Sequence, residues 1–362
     1  MKILVFIDQY ESGGAARVTS TMINGLTDNG YEVILATNIS SRSLFYPLDK
    51  KIKIIDFYGG ETHNKIQSVL RHVRLILSAK KCVAHVRPNV IVAVTHNPYM
   101  YVRIATWNSK IPLIAVDHTS FSRKISRRED WVRNNFYKYA NVLSILTEKD
   151  RKILGDRLPN KTVIYNPLSF SPLDTESKRK KNILVAGRLS FWQVKGIDRI
   201  IKIWANIHSK YPEWKLEIAG DGDVKSIDYL KQLAFNGNLG DSIDFLGQVS
   251  DMRTKLSQTS IFALTSRVEG FPMVLMEAMS QGCACVAFSL GGACEEMLTS
   301  GVSGLIIQDD DLNAFSNALE SLLQKENIRN ALGHEAIERS KCFSVDRFIN
   351  KWTQILSQYE IV

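Results

Sequence analysis

Short apolar runs alternate along the chain with longer stretches in which apolar residues recur every three or four positions. The runs read as buried strands and the longer stretches as amphipathic helices packed beside them. In the first half the expected strands are Ile3 to Ile7, Glu32 to Ala36, Lys53 to Phe57, Val90 to Val94, Leu113 to Val116, Asn141 to Leu146 and Thr162 to Ile164. Helical patterns lie between several of them, notably Ala16 to Asn29 and Lys65 to His85. A second series has strands near Ile183 to Ala186, Lys215 to Ala219, Ile243 to Leu246, Ile261 to Leu264, Ala284 to Ala287 and Gly304 to Ile307. Its helices are expected near Asp198 to Lys210, Val224 to Asn236, Asp251 to Gln258, Pro272 to Gln281 and Ala293 to Leu298. Alternation of this kind predicts an α/β fold of parallel strands with crossover helices, built twice. Between the series, after Asn166-Pro167, the polar stretch Ser171 to Asn182 with Lys178-Arg179-Lys180-Lys181 reads as a linker. The division is therefore 1–168 and 182–344, with a last amphipathic helix in 345–362. In doubly wound sheets ligands bind beyond the carboxyl ends of the strands, so the expected site is a central cleft between the halves.

A chain of 362 residues is longer than one hydrophobic core usually supports, which agrees with two domains. No apolar run approaches the roughly 18 to 20 residues of a membrane span. Lys2 to Ile7 is too short for a signal-peptide core and reads as the first strand of a cytoplasmic protein. The five cysteines form no disulfide pattern, and the seven histidines, His63 among them, show no ligand spacing, so no metal is expected. The formal charge of +9 suits an anionic partner: nucleic acid, an acidic membrane or a phosphorylated substrate. Basic residues gather at Arg71, Arg74, Lys80, Lys81 and Arg87, and again at Arg123, Lys124, Arg127, Arg128, Arg133 and Lys138. The second group is interleaved with Phe121, Trp131, Phe136, Tyr137 and Tyr139, a mixture suited to an anionic membrane surface. A solvated helix face with buried aromatics is the alternative.

The densest chemistry lies in Thr-Ser-Arg-Val-Glu-Gly-Phe-Pro-Met-Val-Leu-Met-Glu-Ala-Met from Thr265, which carries Glu269 and Glu277. Glu269 falls on a loop after a strand, and Glu277 inside a helix among apolar neighbours, where an ionised carboxylate needs hydrogen-bond partners. The helix N-terminus between them presents backbone N–H groups to an anion. Gly187-Arg188-Leu189 and Lys195-Gly196 follow another strand and suit a diphosphate, Arg as a fork and Lys as a point charge. Gly220-Asp221-Gly222, Phe245-Leu246-Gly247 and Gly291-Gly292-Ala293-Cys294-Glu295 also close strands, where glycine permits close approach. Each has a plainer reading, a turn or, for Phe245, a core residue. In the first half, Ser12-Gly13-Gly14-Ala15 opens a helix and Asp117-His118 ends a strand.

Taken in order, Gly13-Gly14, His118, Gly187-Arg188-Leu189 with Lys195-Gly196, Gly220-Asp221-Gly222, Phe245-x-Gly247, Glu269 with Glu277, and Gly291-Gly292-x-x-Glu295 resemble glycosyltransferase family 4. The feel is that of bacterial capsule, exopolysaccharide and lipopolysaccharide transferases of the amylovoran type. The resemblance implies the GT-B fold, two Rossmann-like domains facing a cleft, with the C-terminal helix around Trp352 crossing back to the first domain. It implies a retaining, metal-independent hexosyltransferase using a UDP-sugar. On that basis the donor would be bound by Gly14, Gly187, Arg188, Lys195, Gly220, Gly222, Phe245, Gly247, Glu269, Gly270, Phe271, Met273, Val274 and Glu277. Arg188 and Lys195 would take the diphosphate, Glu277 the ribose and Glu269 the transferred sugar, with His118 near that sugar. His118, Glu269, Arg188 and Lys195 are the residues expected to serve the reaction. Arg267 and Cys294 depart from the pattern, which often has a small or aromatic residue and a proline there.

The acceptor implied is a growing saccharide or one linked to polyprenyl diphosphate, at the inner face of the cell membrane. No nucleic acid is expected. Two rival readings are a GT-B nucleotide-sugar epimerase and a non-catalytic sugar- or nucleic-acid-binding protein.

Overall fold

The computed structural model describes all residues except 9, 11–12, 39–44, 59, 61–64, 123–124, 159, 175–176 and 361–362. Ser12, His63, Arg123 and Lys124 thus lie outside the described residues. The chain divides into two compact units, Met1–Pro167 with Val345–Val362, and Leu168–Ser344.

The first unit holds strands β1 Lys2–Phe6, β2 Glu32–Thr37, β3 Lys53–Asp56, β4 Val90–Val94, β5 Leu113–Val116, β6 Val142–Ile145 and β7 Lys161–Val163. They form one sheet in the order β3-β2-β1-β4-β5-β6-β7, each pair parallel. Helices α1 Gly14–Asp28, α2 Lys65–Val86, α3 His96–Ala105, α4 Arg127–Phe136 and α5 Glu148–Leu154 make the crossovers. Every residue of β4 and β5 is buried, as a parallel sheet covered on both faces requires. Alternate strand residues Leu4, Ile91, Ala93 and Leu113 pack with Leu75 and Ala79 of α2, Tyr99 of α3 and Val132 of α4.

The second unit holds β8 Lys180–Ala186, β9 Lys215–Ala219, β10 Ile243–Gly247, β11 Thr259–Leu264, β12 Ala284–Phe288 and β13 Leu305–Ile307. Their order, β10-β9-β8-β11-β12-β13, is again all parallel. Its helices are α6 Trp192–Lys195, α7 Ile197–Ile207, α8 Val224–Asn236, α9 Met252–Ser257, α10 Met273–Ser280, α11 Ala293–Met297, α12 Leu312–Gln324 and α13 Glu326–Ser340. On α7 the residues Ile197, Ile200, Ile201, Trp204 and Ile207 repeat at helical spacing, and all are buried against the sheet. The stretch read as a linker belongs to this unit. Leu173 N–H donates to the Ser280 carbonyl, Arg179 donates to the carbonyls of Thr259 and Gln281, and Lys180-Lys181 open β8.

The last helix, α14 Val345–Leu356, returns to the first unit and packs on α1. The two helices cross at Gly25, where a Cβ would meet Ile349 Cδ1 at 2.4 Å, so a larger residue there would push α14 away. Trp352 is buried beneath the crossing.

Arg133, assigned above to a basic surface face, is buried. Its Nε lies 3.0 Å from Asp117 Oδ2 and its Nη2 3.1 Å from Oδ1. Tyr137 Oη and the Thr119 N–H also donate to Asp117, both at 2.9 Å, and the Phe121 ring lies 4.1 Å from the guanidinium carbon. Apolar packing removes this pair from solvent, so Arg133, Phe121 and Tyr137 form an internal tie between β5 and α4. They are not a membrane face. Arg128 is likewise engaged, donating to Tyr101 Oη at 2.9 Å. Removing one member of a buried ion pair strands the other charge. Arg133→Ala is therefore expected to cost about 3 to 5 kcal/mol in urea unfolding, whereas a surface arginine would cost under about 0.5 kcal/mol.

Candidate active site

In each sheet the winding reverses once, between β1 and β4 in the first unit and between β8 and β11 in the second. At such a switch point the loops leaving adjacent strands diverge and open a crevice at the carboxyl edge. In the second unit those two loops are Gly187 to Gly196, after β8, and Thr265 to Pro272, after β11. They carry Arg188, Lys195 and Glu269.

Glycine lets these loops meet backbone to backbone. A Cβ on Gly220 would lie 1.8 Å from the Gly187 carbonyl oxygen, and one on Gly196 would lie 1.8 Å from the Thr265 carbonyl oxygen. Gly196 also has φ +64°, in the left-handed region that glycine occupies without strain. Gly222 is pressed against Leu189 and the Ser190 N–H. The Gly187 Cα leaves room for the Lys195 stem, whose Cγ would be 3.1 Å from a Cβ there.

Lys195 Nζ meets Glu269 Oε1 at 2.7 Å, and Ser266 Oγ donates to the same oxygen at 2.8 Å. Arg188 is exposed, its guanidinium 5.7 Å from the Phe191 ring centre. Glu277 is buried within α10, and its Oε1 accepts a hydrogen bond from Ser169 Oγ. That serine answers the need for a partner read from the apolar surroundings of Glu277. Ser169 was absent from the expected site, because no local pattern marks a residue 108 positions away in sequence.

Gly270 lies on the loop between Glu269 and α10, Phe271 is buried edge-on to Phe343 at 5.6 Å, and Met273 and Val274 open α10. Helix geometry leaves the N–H groups of such a first turn without intrahelical partners. Phe245 is packed against the core of the unit, as its plainer reading had it. Gly247, with φ +65°, accepts a hydrogen bond from Gly220 N–H at 2.8 Å and so joins the edge of the same loop cluster. The Gly291-Gly292 turn differs from expectation: Glu295 Oε2 accepts the Gly292 N–H at 2.7 Å, so the anion at this turn is the chain's own carboxylate. Among the described residues no three His, Cys, Asp or Glu side chains are grouped to hold a metal ion.

In the first unit Gly14 begins α1, and His118 follows β5. His118 lines a small cavity with Val18, Met22, Asn166, Phe348 and Trp352, and its Nδ1 and the Trp352 Nε1 are buried without protein partners. Thr95, after β4, has φ +71°, a strained backbone for a β-branched residue and one that no sequence signal marked.

Burial pushes His118 from its ordinary 6.5 down to about 4, so the ring is neutral near pH 7. The unfolded chain takes up this proton around pH 6.5 and the folded chain only near 4. Stability is thus full above pH 6.5 and falls as the pH drops toward 4. The loss is expected to reach about 3 kcal/mol, and His118→Gln should remove that part of the slope. Proton NMR titration of the His118 ring, with urea unfolding from pH 7 to 4, checks both.

The comparisons with known proteins match this geometry. A family model described as Glycosyltransferase Family 4 matches residues 12–170, and one described as Glycosyl transferases group 1 matches 173–339. The two Rossmann-like units are those of the GT-B glycosyltransferases. The chain belongs to this glycosyltransferase family and is a sugar-transferring enzyme. It is 25% identical to the amylovoran biosynthesis glycosyltransferase AmsD of Erwinia amylovora, over 98% of this chain and 99% of that one. It is 24% identical to an α-1,4-N-acetyl-D-galactosaminyltransferase of Campylobacter jejuni, acting on an undecaprenol-linked saccharide, over 99% of each. Its fold matches the Anabaena Alr3699/HepE structure in complex with UDP and glucose with TM-score 0.78, 18% identity, and coverage of 99% of this chain and 100% of that one.

Proposed function

We propose that the protein transfers a hexosyl unit from a UDP-sugar, with retention at the anomeric carbon, to a growing or lipid-linked saccharide in bacterial surface polysaccharide synthesis. The observation that carries this reading is the charge pattern at the second switch point: Arg188 and Lys195 on one loop, Glu269 on the facing loop, and Glu277 in the helix that follows. Two cations suit a diphosphate and two carboxylates suit hydroxyls on either side of it. A nucleotide-sugar has that sequence of groups.

In this reading Glu277, oriented by Ser169, accepts from the ribose hydroxyls, and Glu269 accepts from hydroxyls of the sugar. Arg188 and Lys195 offset the charge that grows on the departing diphosphate, an electrostatic contribution aimed at the transition state. The anomeric carbon–oxygen bond to the diphosphate breaks and a bond to the acceptor oxygen forms on the same face. Neither carboxylate is assigned as a nucleophile. Glu269 is ion-paired with Lys195, and Glu277 is buried in α10. The acceptor class is supported by the names of the bacterial relatives, and the uridine base by the HepE complex.

Peripheral attachment to an anionic membrane belongs to the same proposal, and α2 supports it better than α4. The α2 sequence contains no Asp or Glu. Its exposed face interleaves Val69, Leu70, Val73 and Leu77 with Arg74, Lys80 and Lys81. A face of this composition suits the headgroup region of a bilayer.

Calorimetry with UDP-, GDP- and ADP-sugars tests the donor. UDP-sugars are expected to bind, and Glu277→Ala to weaken UDP by about tenfold or more as charge-assisted bonds to ribose are lost. Unchanged UDP affinity would remove Glu277 from the ribose. UDP release only when an acceptor is supplied separates transfer from epimerisation. In vesicle pelleting, the pair Val73→Ser and Leu77→Ser is expected to reduce binding to phosphatidylglycerol vesicles about tenfold, from the apolar area lost, without changing UDP affinity.

A further inference from the structure

Arg267 stands two residues before Glu269, at a position where the chain departs from the pattern it otherwise follows. Its guanidinium meets Asp198 in a two-pronged pair, Nη1 to Oδ1 at 2.8 Å and Nη2 to Oδ2 at 2.7 Å. Nη1 also donates to the Gln193 carbonyl, and the Arg267 N–H donates to the Val194 carbonyl at 2.8 Å. Asp198 is buried in the first turn of α7, three residues after Lys195. One side chain therefore joins the segment carrying Lys195 to the segment carrying Glu269.

Other ties hold only the root of the second loop. Thr265 Oγ1 donates to the Gly196 carbonyl at 2.8 Å, and Arg199 reaches the Thr265 carbonyl at 3.5 Å while binding Asp309 and Asp310. Beyond Ser266 the loop advances to Glu269, and Arg267 is the residue that anchors this part to the neighbouring loop. Two parallel bonds from a planar guanidinium fix orientation as well as distance, which an ammonium does not.

We propose that Arg267 and Asp198 are positioning residues for sugar transfer, holding Glu269 at a set distance from Lys195 so that sugar and diphosphate are gripped together. The inference rests on the donor reading above. Neither residue touches the donor in it. Their effect passes through Glu269, where a displacement of about 1 Å can cost about a hundredfold in rate.

The test compares wild type with Arg267→Gln, Arg267→Lys, Asp198→Asn and the Arg267→Gln/Asp198→Asn double variant. Each is titrated calorimetrically with UDP and with the tightest-binding member of UDP-glucose, UDP-galactose, UDP-N-acetylglucosamine and UDP-N-acetylgalactosamine, and each is melted alone. Arg267→Gln is expected to weaken the UDP-sugar about tenfold while UDP changes by less than about twofold, since Glu269 faces the sugar. Arg267→Lys should recover only part of the loss, and the double variant should add little to either single one. Equal losses for UDP and UDP-sugar that track the melting temperature, or no loss at all, overturn the inference. Should Arg267→Gln not fold, the two conservative variants make the same comparison. A wild-type chain that binds neither UDP nor any UDP-sugar defeats the donor reading, and this inference with it. That outcome is distinct from wild type and variants binding alike.

Discussion

The candidate site depends on the contact of loop backbones at the carboxyl edge of the second sheet. Gly220 lies against the Gly187 carbonyl and Gly196 against the Thr265 carbonyl, each so close that a single methyl group would force the strands' exits apart. Main chain in that position presents N–H groups and charged side chains without bulky neighbours between them. Parallel strands make the arrangement possible, since every strand in the sheet ends at the same edge. The reversal of winding between β8 and β11 then sends the two loops apart and leaves the crevice that they line.

Within that frame the charges are arranged before any donor arrives. Lys195 and Glu269 are paired across the two loops, and Arg267 with Asp198 ties the same loops through a second pair. Glu277 sits in apolar surroundings with Ser169 as partner. Preorganised groups of this kind need little rearrangement as charge develops on a substrate, which is the condition under which electrostatic contributions to a reaction are largest.

The basic character of the chain divides into unlike parts. Arg133 neutralises a buried aspartate and serves the fold of the first unit. Arg188 and Lys195 stand at the donor loops. Arg74, Lys80 and Lys81 are exposed beside apolar residues on α2. A net charge of +9 is the sum of these roles and describes none of them.

All thirteen strands lie where the apolar periodicity placed them, within about three residues at their ends, because buried parallel strands leave a local and nearly continuous apolar signal. Glycines and charged residues at the strand ends were also readable, since a loop that must turn sharply at a sheet edge restricts its own residue types. What local pattern could not supply was the identity of distant partners. Ser169 lies on the segment taken for a linker, Asp198 is 69 positions from Arg267, and Arg133 looked like its exposed neighbours until Asp117 and Phe121 closed over it. Sequence alone thus settled the strands, the glycine-marked strand ends and the kinship to glycosyltransferases, all properties of short windows of chain. Strand order, the switch point, the burial of Arg133 and the pairing of the two donor loops were decided only by tertiary structure, because each is a contact between residues that the sequence keeps apart.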